Sequence, residues 1–300
     1  MRILLTGVTG QVGWELQRSL MTLGEVIPTA RMSPVDGMSL DLSQPDEIRR
    51  VVQAVRPDLI VNAGAYTAVD RAETEIDLAM AVNAIAPGVL AEEAKRIGAA
   101  LIHYSTDYVF DGGKASPYLE ADAPNPLNIY GKSKLEGERA IAAIEVPHFI
   151  FRTTWVYGSR GKNFLRTMLK LAQEREQLKI VDDQIGAPTW CRTIAEVTAQ
   201  ILAQQIANSH DFIRVNSGLY HLTSAGQTTW FQFAKAIFDL TSEDRDRALK
   251  TVLPISAAEY PTPAVRPTYS LLDCQKLSRT FGMVLPSWHT ALSAVVRSEN

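Results

Sequence analysis

Along the first half of the chain, short apolar runs alternate with stretches whose apolar positions recur every three or four residues. The runs Arg2–Thr6, Glu25–Ala30, Leu59–Asn62, 100–104 and 148–152 have the length and composition of buried strands. Between the first two, Val12, Leu16, Leu20 and Leu23 share one helical face. Ser43, followed by Asp46 and Glu47, reads as an N-cap with an acidic first turn, for a helix that Pro57 stops near Val55. Residues 76–97 form a long alanine-rich helical segment containing Asn83, with a predicted break near Pro87. Another helix opens at Asn128 and carries Tyr130 and Lys134. Strands alternating with helices predict a parallel sheet with right-handed crossovers, its ligand crevice at the carboxyl ends. The predicted class is α/β: a Rossmann-like, doubly wound parallel sheet with a smaller C-terminal domain.

The second half continues the pattern less regularly. Helices are predicted over 163–174, 193–206, 229–240 and 287–296, with short strands at 178–181 and 220–223. The stripe Trp230, Phe231, Phe233 and Phe238 falls at helical spacing and reads as core. The proline-rich stretch 260–267 cannot be regular helix and reads as a fixed loop. The predicted division is a nucleotide-binding domain over residues 1–156 and a mainly substrate-binding domain over 157–300, some of whose segments return to the main sheet. The helix at 193–206 is expected to pack on the first domain.

Composition narrows the function. The chain has 300 residues, 46% hydrophobic and 21% charged, with a net charge of −3. That balance suits a soluble globular protein and gives no reason to expect a nucleic-acid partner. No signal peptide precedes the first strand, and no apolar stretch is long enough for a membrane span, so a cytoplasmic location is expected. Cys191 and Cys274 match no metal or redox spacing and read as free thiols. The five histidines form no metal-binding pattern either, so no metal ligand is expected.

Candidate chemistry falls at four predicted strand ends and at the start of one helix. Gly7-Val8-Thr9-Gly10-Gln11-Val12-Gly13 lies between a strand and a helix, where glycines let the backbone approach a pyrophosphate and the helix N-terminus offers unpaired N–H groups. The spacing is GxxGxxG, which also suits a purely structural turn. Arg31 follows the second strand in place of the acid that would take ribose hydroxyls. It suits a 2′-phosphate or plain solvent exposure. The small residues of Ala63-Gly64-Ala65 leave ligand room after the third strand. Ser105-Thr106-Asp107 follows the fourth strand, and a hydroxyl there could bond a carbonyl oxygen or merely cap local backbone. Tyr130 and Lys134 stand one helical turn apart. An ammonium beside a phenol lowers the phenol's pKa and suits it to pass a proton to a carbonyl oxygen.

The order TGxxGxxG, NAxAYTAVD, STDYVF, YGKSK resembles the extended short-chain dehydrogenase/reductases, and within them the dTDP-4-dehydrorhamnose reductases. The resemblance continues through FRTTWVY (151–157), DQIGAPT (183–189), GLYHL (218–222) and YPTPAVRP (260–267). It implies a catalytic group of Thr106, Tyr130 and Lys134 that reduces C4 of a nucleotide-linked keto sugar with NADPH or NADH. Lys134 would lower the tyrosine pKa and hold the nicotinamide ribose, and Thr106 would orient the carbonyl. It further implies cofactor contacts at Gly7, Gly10, Gln11, Val12, Gly13, Asp41, Leu42, Ala63, Gly64, Thr67, Asn83 and Ser105. Substrate contacts would come from Val69, Thr106, Asp107, Tyr108 and Trp155. Arg266 suits either the substrate diphosphate or a structural ion pair. Arg31 inclines the cofactor choice towards NADPH, though the family is described as using both. Some members are metal-bridged dimers. Glu15 is present here, but Arg192 stands where a further acid is expected, which argues against that metal site and leaves a monomer or homodimer open. Two alternatives remain: a reductase of another 4-keto-6-deoxysugar nucleotide, and a regulatory subunit that binds cofactor without turnover.

Overall fold

The computed structural model describes residues 1–32, 37–208, 211–241 and 247–299. Its centre is a seven-stranded, all-parallel sheet. The chain enters through β1 (Arg2–Thr6), α1 (Gln11–Leu20), β2 (Glu25–Ala30), β3 (Met38–Ser39), α2 (Pro45–Val55) and β4 (Leu59–Asn62). It continues through the short helices α3 (Val69–Ala72) and α4 (Ile76–Met80), then α5 (Ala86–Ile97), β5 (Ala100–Thr106), α6 (Ile129–Ile144) and β6 (His148–Thr153). The sheet is completed from far along the chain by β11 (Gly218–His221), which pairs with β6. Its order is β11-β6-β5-β4-β1-β2-β3, so β1 and β4 flank the point where the chain reverses direction across the sheet. An open parallel sheet leaves a crevice beyond its carboxyl ends at such a point.

Both faces of the sheet are covered. Ile3, Leu5, Val61, Ile102, Phe149 and Phe151 face a core with α1 and with α8 (Cys191–Asn208). Leu4, Ile60, Leu101 and Ile150 face α2 and α5. This alternation of successive residues between two apolar layers is why the strands read as continuous hydrophobic runs. The remaining elements are β7 (Val156–Tyr157), α7 (Phe164–Glu174), β8 (Gln177–Val181), β9 (Ile185–Gly186), β10 (Thr189–Trp190), α9 (Phe212–Val215), β12 (Thr228–Thr229), α10 (Trp230–Leu240), β13 (Thr251–Ile255), α11 (Gln275–Phe281) and α12 (Trp288–Glu299). Leu165, Met168, Phe233, Ile237, Leu292 and Val295, from α7, α10 and α12, make a second core.

Several local expectations need correction. Ser43 does not cap α2. Gln44 holds the cap position with Pro45 in the first turn, and the Ser43 hydroxyl donates to Asp41 Oδ1 instead. The break expected near Pro87 is an interruption of the α-helix just before it. The segment widens there into a π-helical turn at Ala81–Ile85. Proline lacks the N–H that would bond the carbonyl four residues back, that of Asn83, and inserting one residue into the turn accommodates the loss. β5 runs to Thr106 rather than ending at Tyr104, which puts Ser105 and Thr106 inside the sheet edge. The strand expected at 220–223 is Gly218–His221.

Candidate active site

The glycine turn is forced by close packing. Gly7 has φ +70°, and a Cβ there would lie 2.5 Å from Gly64 Cα. A Cβ on Gly13 would lie 2.2 Å from Gly7 O, so α1 can start this near β1 only with glycine in its first turn. The turn opens into a cavity of about 950 Å³ along the carboxyl edge of the sheet. Its wall includes Gly7, Gly10, Gln11, Val12, Arg31, Asp41, Leu42, Ala63, Gly64 and Thr67. Val69, Ser105, Thr106, Asp107, Tyr108, Tyr130, Lys134 and Trp155 complete the part of the wall expected from sequence.

Three expected residues stand back from this wall. Gly13 packs behind the turn. Asn83 is fully buried and clamps the loop after β4. Its Oδ1 accepts from Tyr66 N at 2.8 Å, and its Nδ2 donates to Tyr66 O at 2.9 Å and Ser133 Oγ at 3.0 Å. Both amide hydrogens are therefore used, and its side chain acts on the site through Tyr66. Arg266 donates to Asp70 Oδ1 and Oδ2 at 3.0 and 2.9 Å. Sequence reasoning missed Tyr66, Val82, Thr153, Thr154 and Lys162, which also line the cavity. Thr153 and Thr154 directly follow the strand predicted at 148–152, a position that marks them as crevice residues.

The helix carrying Tyr130 and Lys134 is set by its first turn. Asn128 Oδ1 accepts from Gly131 N at 2.8 Å, while Asn128 Nδ2 donates to Val265 O at 2.8 Å and ties the proline-rich loop to the helix start. A Cβ on Gly131 would lie 2.1 Å from Tyr108 O. The glycine thus allows α6 to press against the turn after β5, and the rings of Tyr108 and Tyr130 meet edge to face at 5.6 Å.

Tyr130 is half-buried on the cavity wall, beside Thr106 and close to the Asp107 carboxylate. Desolvation of the hydroxyl raises its pKa to about 12, the neighbouring Thr106 hydroxyl opposes this, and the Asp107 charge adds to it. The net shift of the phenol is upward because desolvation dominates, and the Lys134 ammonium is bonded elsewhere. Lys134 Nζ donates to Tyr104 O at 2.6 Å and lies 3.2 Å from His103 Nε2. Burial also lowers Lys134 to about 8, with Glu138 opposing. Asp107 is raised to about 6 by burial, against hydrogen bonds from Ser270, Thr154 and Thr106. Thr154 Oγ1 donates to Asp107 Oδ2 at 2.6 Å.

Trp155, at φ +44°, leaves β6 in the left-handed region. Its ring stacks on Trp230 with centroids 3.5 Å apart and planes at 7°. Phe233 and Phe238 of the aromatic stripe of α10 lie in the core as expected, and Trp230 and Phe231 pack against it partly buried. Away from the cavity, Arg192 bonds Glu196 at 3.1 Å, and Glu196 also receives Arg18, which reaches Glu15.

The profile described as the RmlD substrate binding domain matches residues 1–300. The chain belongs to this family. It is similar to the dTDP-4-dehydrorhamnose reductase of Burkholderia thailandensis, with 50% identity over 300 residues covering 99% of this chain and 98% of the relative. The enzyme of that name from Escherichia coli is 44% identical over 297 residues, 99% of this chain and 97% of the relative. Among solved structures, a dTDP-4-dehydrorhamnose reductase from Clostridium acetobutylicum superposes with TM-score 0.89 at 38% identity, covering 100% of this chain and 99% of that one. The Bacillus anthracis enzyme, solved in complex with NADP, gives TM-score 0.86 at 35% identity, with 99% of each chain covered. A UDP-glucose 4-epimerase from Thermus thermophilus shares the fold at 17% identity and TM-score 0.80.

The wall fits a nicotinamide dinucleotide on its own features. The Gly7–Gly64 approach leaves backbone facing the cavity where a pyrophosphate would lie. The buried hydroxyls of Ser105 and Thr153, both on the wall, have no hydrogen-bond partner among the described residues. Unpaired buried polar atoms are costly, and a bound group offering amide or hydroxyl partners would relieve both.

Proposed function

We propose that this protein reduces the C4 keto group of dTDP-4-dehydro-L-rhamnose to dTDP-L-rhamnose. NADPH or NADH serves as the reductant, with NADPH favoured by Arg31 on the cavity wall. The observation that carries this reading is the placement of Thr106, Tyr130 and Lys134 together on the wall of the cavity that the glycine turn opens. When bound, the cofactor supplies the hydride.

The chain's own groups do the rest. Tyr130, held protonated by burial and by the neighbouring Asp107 charge, donates its phenolic proton to the sugar oxygen. Thr106 orients that oxygen from the end of β5, so the charge developing there meets donors already in place. Lys134 provides the cation of the site and the bond to the nicotinamide ribose. Gly7, Gly10, Gln11, Val12, Asp41, Leu42, Ala63, Gly64, Thr67 and Ser105 hold the cofactor, with Gly13 and Asn83 shaping that wall from behind. Val69, Asp107, Tyr108 and Trp155 hold the sugar nucleotide, and Arg266 acts through Asp70 and the loop that starts at Val69.

We place the boundary between the cofactor and substrate sides after residue 156, with α8 and β11 returning to the large sheet. A cytoplasmic site of action is supported by the free thiols of Cys191 and Cys274. No helix among the described residues is long and apolar enough to cross a membrane.

The test is a coupled assay on the purified protein. NADPH oxidation should depend on dTDP-4-dehydro-L-rhamnose, and the isolated product should be dTDP-L-rhamnose. Turnover of a different 4-keto sugar in its place, or cofactor binding without turnover of any, overturns the assignment.

A further inference from the structure

A row of buried polar side chains crosses the sheet beneath the site. Thr6 ends β1, Asn62 ends β4 and His103 lies in β5. The strand register pairs Thr6 with Asn62 and Asn62 with His103. Residues paired across neighbouring strands face the same side, so their side chains meet. Gly64 N donates to Thr6 Oγ1 at 3.2 Å. Thr6 Oγ1 lies 2.6 Å from Asn62 Oδ1, Asn62 Nδ2 lies 3.0 Å from His103 Nδ1, and His103 Nε2 lies 3.2 Å from Lys134 Nζ. None of the four side-chain residues is more than 2% exposed.

A neutral imidazole has one N–H and one lone pair, which allows this row two orders. With Lys134 as an ammonium, Nζ has only hydrogens to offer, so His103 Nε2 accepts. Nδ1 then carries the hydrogen and donates to the Asn62 oxygen, with the Asn62 amide turned so that its NH₂ faces Thr6. With Lys134 neutral, Nζ offers a lone pair and Nε2 carries the hydrogen. Nδ1 now accepts from the Asn62 NH₂, and the Thr6 hydroxyl donates to the Asn62 oxygen. Between the two orders one proton leaves Lys134 for solvent, while the imidazole stays neutral with its N–H relocated.

We propose that His103 is a positioning residue for Lys134, its tautomer tied to the charge of that lysine, and that the row through Asn62 to Thr6 reverses its order when the lysine loses its proton. The proposal rests on the reading of Lys134 as the cation of the site. The row ends at Thr6 and Gly64, both on the cavity wall, and so joins the lysine to the glycine turn.

The surroundings keep the imidazole out of the count. Burial pushes His103 well below its ordinary range, and the nearby charges of Lys134 and His148 push the same way. Lys134 itself faces Tyr130 and Glu138 on α6 and His103 on β5. Glu138 is in turn paired with Arg152 on β6. Asp107, after β5, bears on Tyr130.

The experiment follows the side-chain nitrogen shifts of the full-length protein, labelled with ¹⁵N, from about pH 6 to about pH 10, the interval spanning both charge states of a lysine lowered this far. His103 is assigned through its own backbone resonances, so no variant is needed, and Lys134 is followed in the same samples. The expected result is an Nδ1–H imidazole at the acid end and an Nε2–H imidazole at the basic end, with a midpoint coincident with that of Lys134. A single tautomer throughout while Lys134 titrates overturns the proposal, as does an imidazolium at the acid end. In His103→Leu the Lys134 midpoint should fall by about one to two units, the effect of removing an acceptor from a charged donor. His103→Gln, which keeps an acceptor, should recover part of it. Unchanged midpoints in both would also overturn the idea, and if neither variant folds the wild-type tautomers decide. These readouts need no substrate, so a protein that fails to turn over the sugar nucleotide would strike the proposed function and leave this inference standing.

Discussion

Removing the Glu138 carboxylate should cost a large part of the stability of the fold. Arg152 Nε and Nη2 donate to Glu138 Oε1 and Oε2 at 2.8 and 2.6 Å, with side chains 3% and 7% exposed. Glu138→Ala leaves a guanidinium in the sheet edge without a counter-ion. Its remaining comfort is the Phe110 ring, 4.9 Å from Arg152 Cζ, worth about 0.5–2 kcal/mol. Breaking one side of a buried pair costs about 3–5 kcal/mol, against a total stability of about 5–15 kcal/mol. Replacing both members, Glu138→Leu with Arg152→Met, removes both charges and both desolvation penalties. That double variant should lie within about 2 kcal/mol of the parent. Urea unfolding of the parent, Glu138→Leu, Arg152→Met and the double variant gives the coupling directly. A loss below about 1 kcal/mol in Glu138→Ala would refute the reasoning, because surface pairs already reach that value. Additive losses in the double variant would refute it as well. The same substitution takes away the charge that supports the Lys134 ammonium, so the basic limb of the pH–rate profile should move to lower pH.

Other consequences are simpler to test. Tyr130→Phe should lower kcat by at least about 100-fold, the usual scale of a lost general acid, while NADPH binding measured by fluorescence titration stays nearly unchanged. Gly13→Ala should destabilise the protein by about 1–3 kcal/mol or more and weaken NADPH binding, because the new methyl meets the backbone carbonyl of Gly7 rather than a side chain that can move. Asp107 holds its proton more tightly when folded, its pKa rising from 3.8 to about 6. Its contribution to stability is therefore fully present below 3.8 and is lost as pH rises through about 6. The difference corresponds to roughly 3 kcal/mol, and Asp107→Asn should flatten the stability curve over that interval in thermal or urea unfolding.

The sheet and its connections were legible because both depend on local signals: apolar runs, glycine turns and helical spacing. Tyr130 and Lys134 were legible as a pair because four residues on a helix fix their separation. What Lys134 bonds was not legible. His103 looks like an ordinary strand residue until the register of β4 against β5 brings Asn62 beside it. The role of Asn83 was hidden for a related reason, since the π-helical turn that aims it at Tyr66 follows from the N–H missing at Pro87. The partner of Arg266, Asp70, lies nearly two hundred positions away in the chain. Long-range pairing decides the contacts of Lys134 and Arg266, and periodicity carries no information about it.

The late arrival of β11 has a consequence for synthesis. Six strands of the sheet are complete once residue 153 has been made, but the seventh comes from residues 218–221. Until then β6 presents a bare row of N–H and C=O groups. Arg152, which sits across from His221 in the finished register, is still open on that side. A chain growing at about 5–20 residues per second spends seconds in that condition. During that interval the half-built sheet offers an edge that a second nascent chain, or a chaperone, can occupy before β11 closes it.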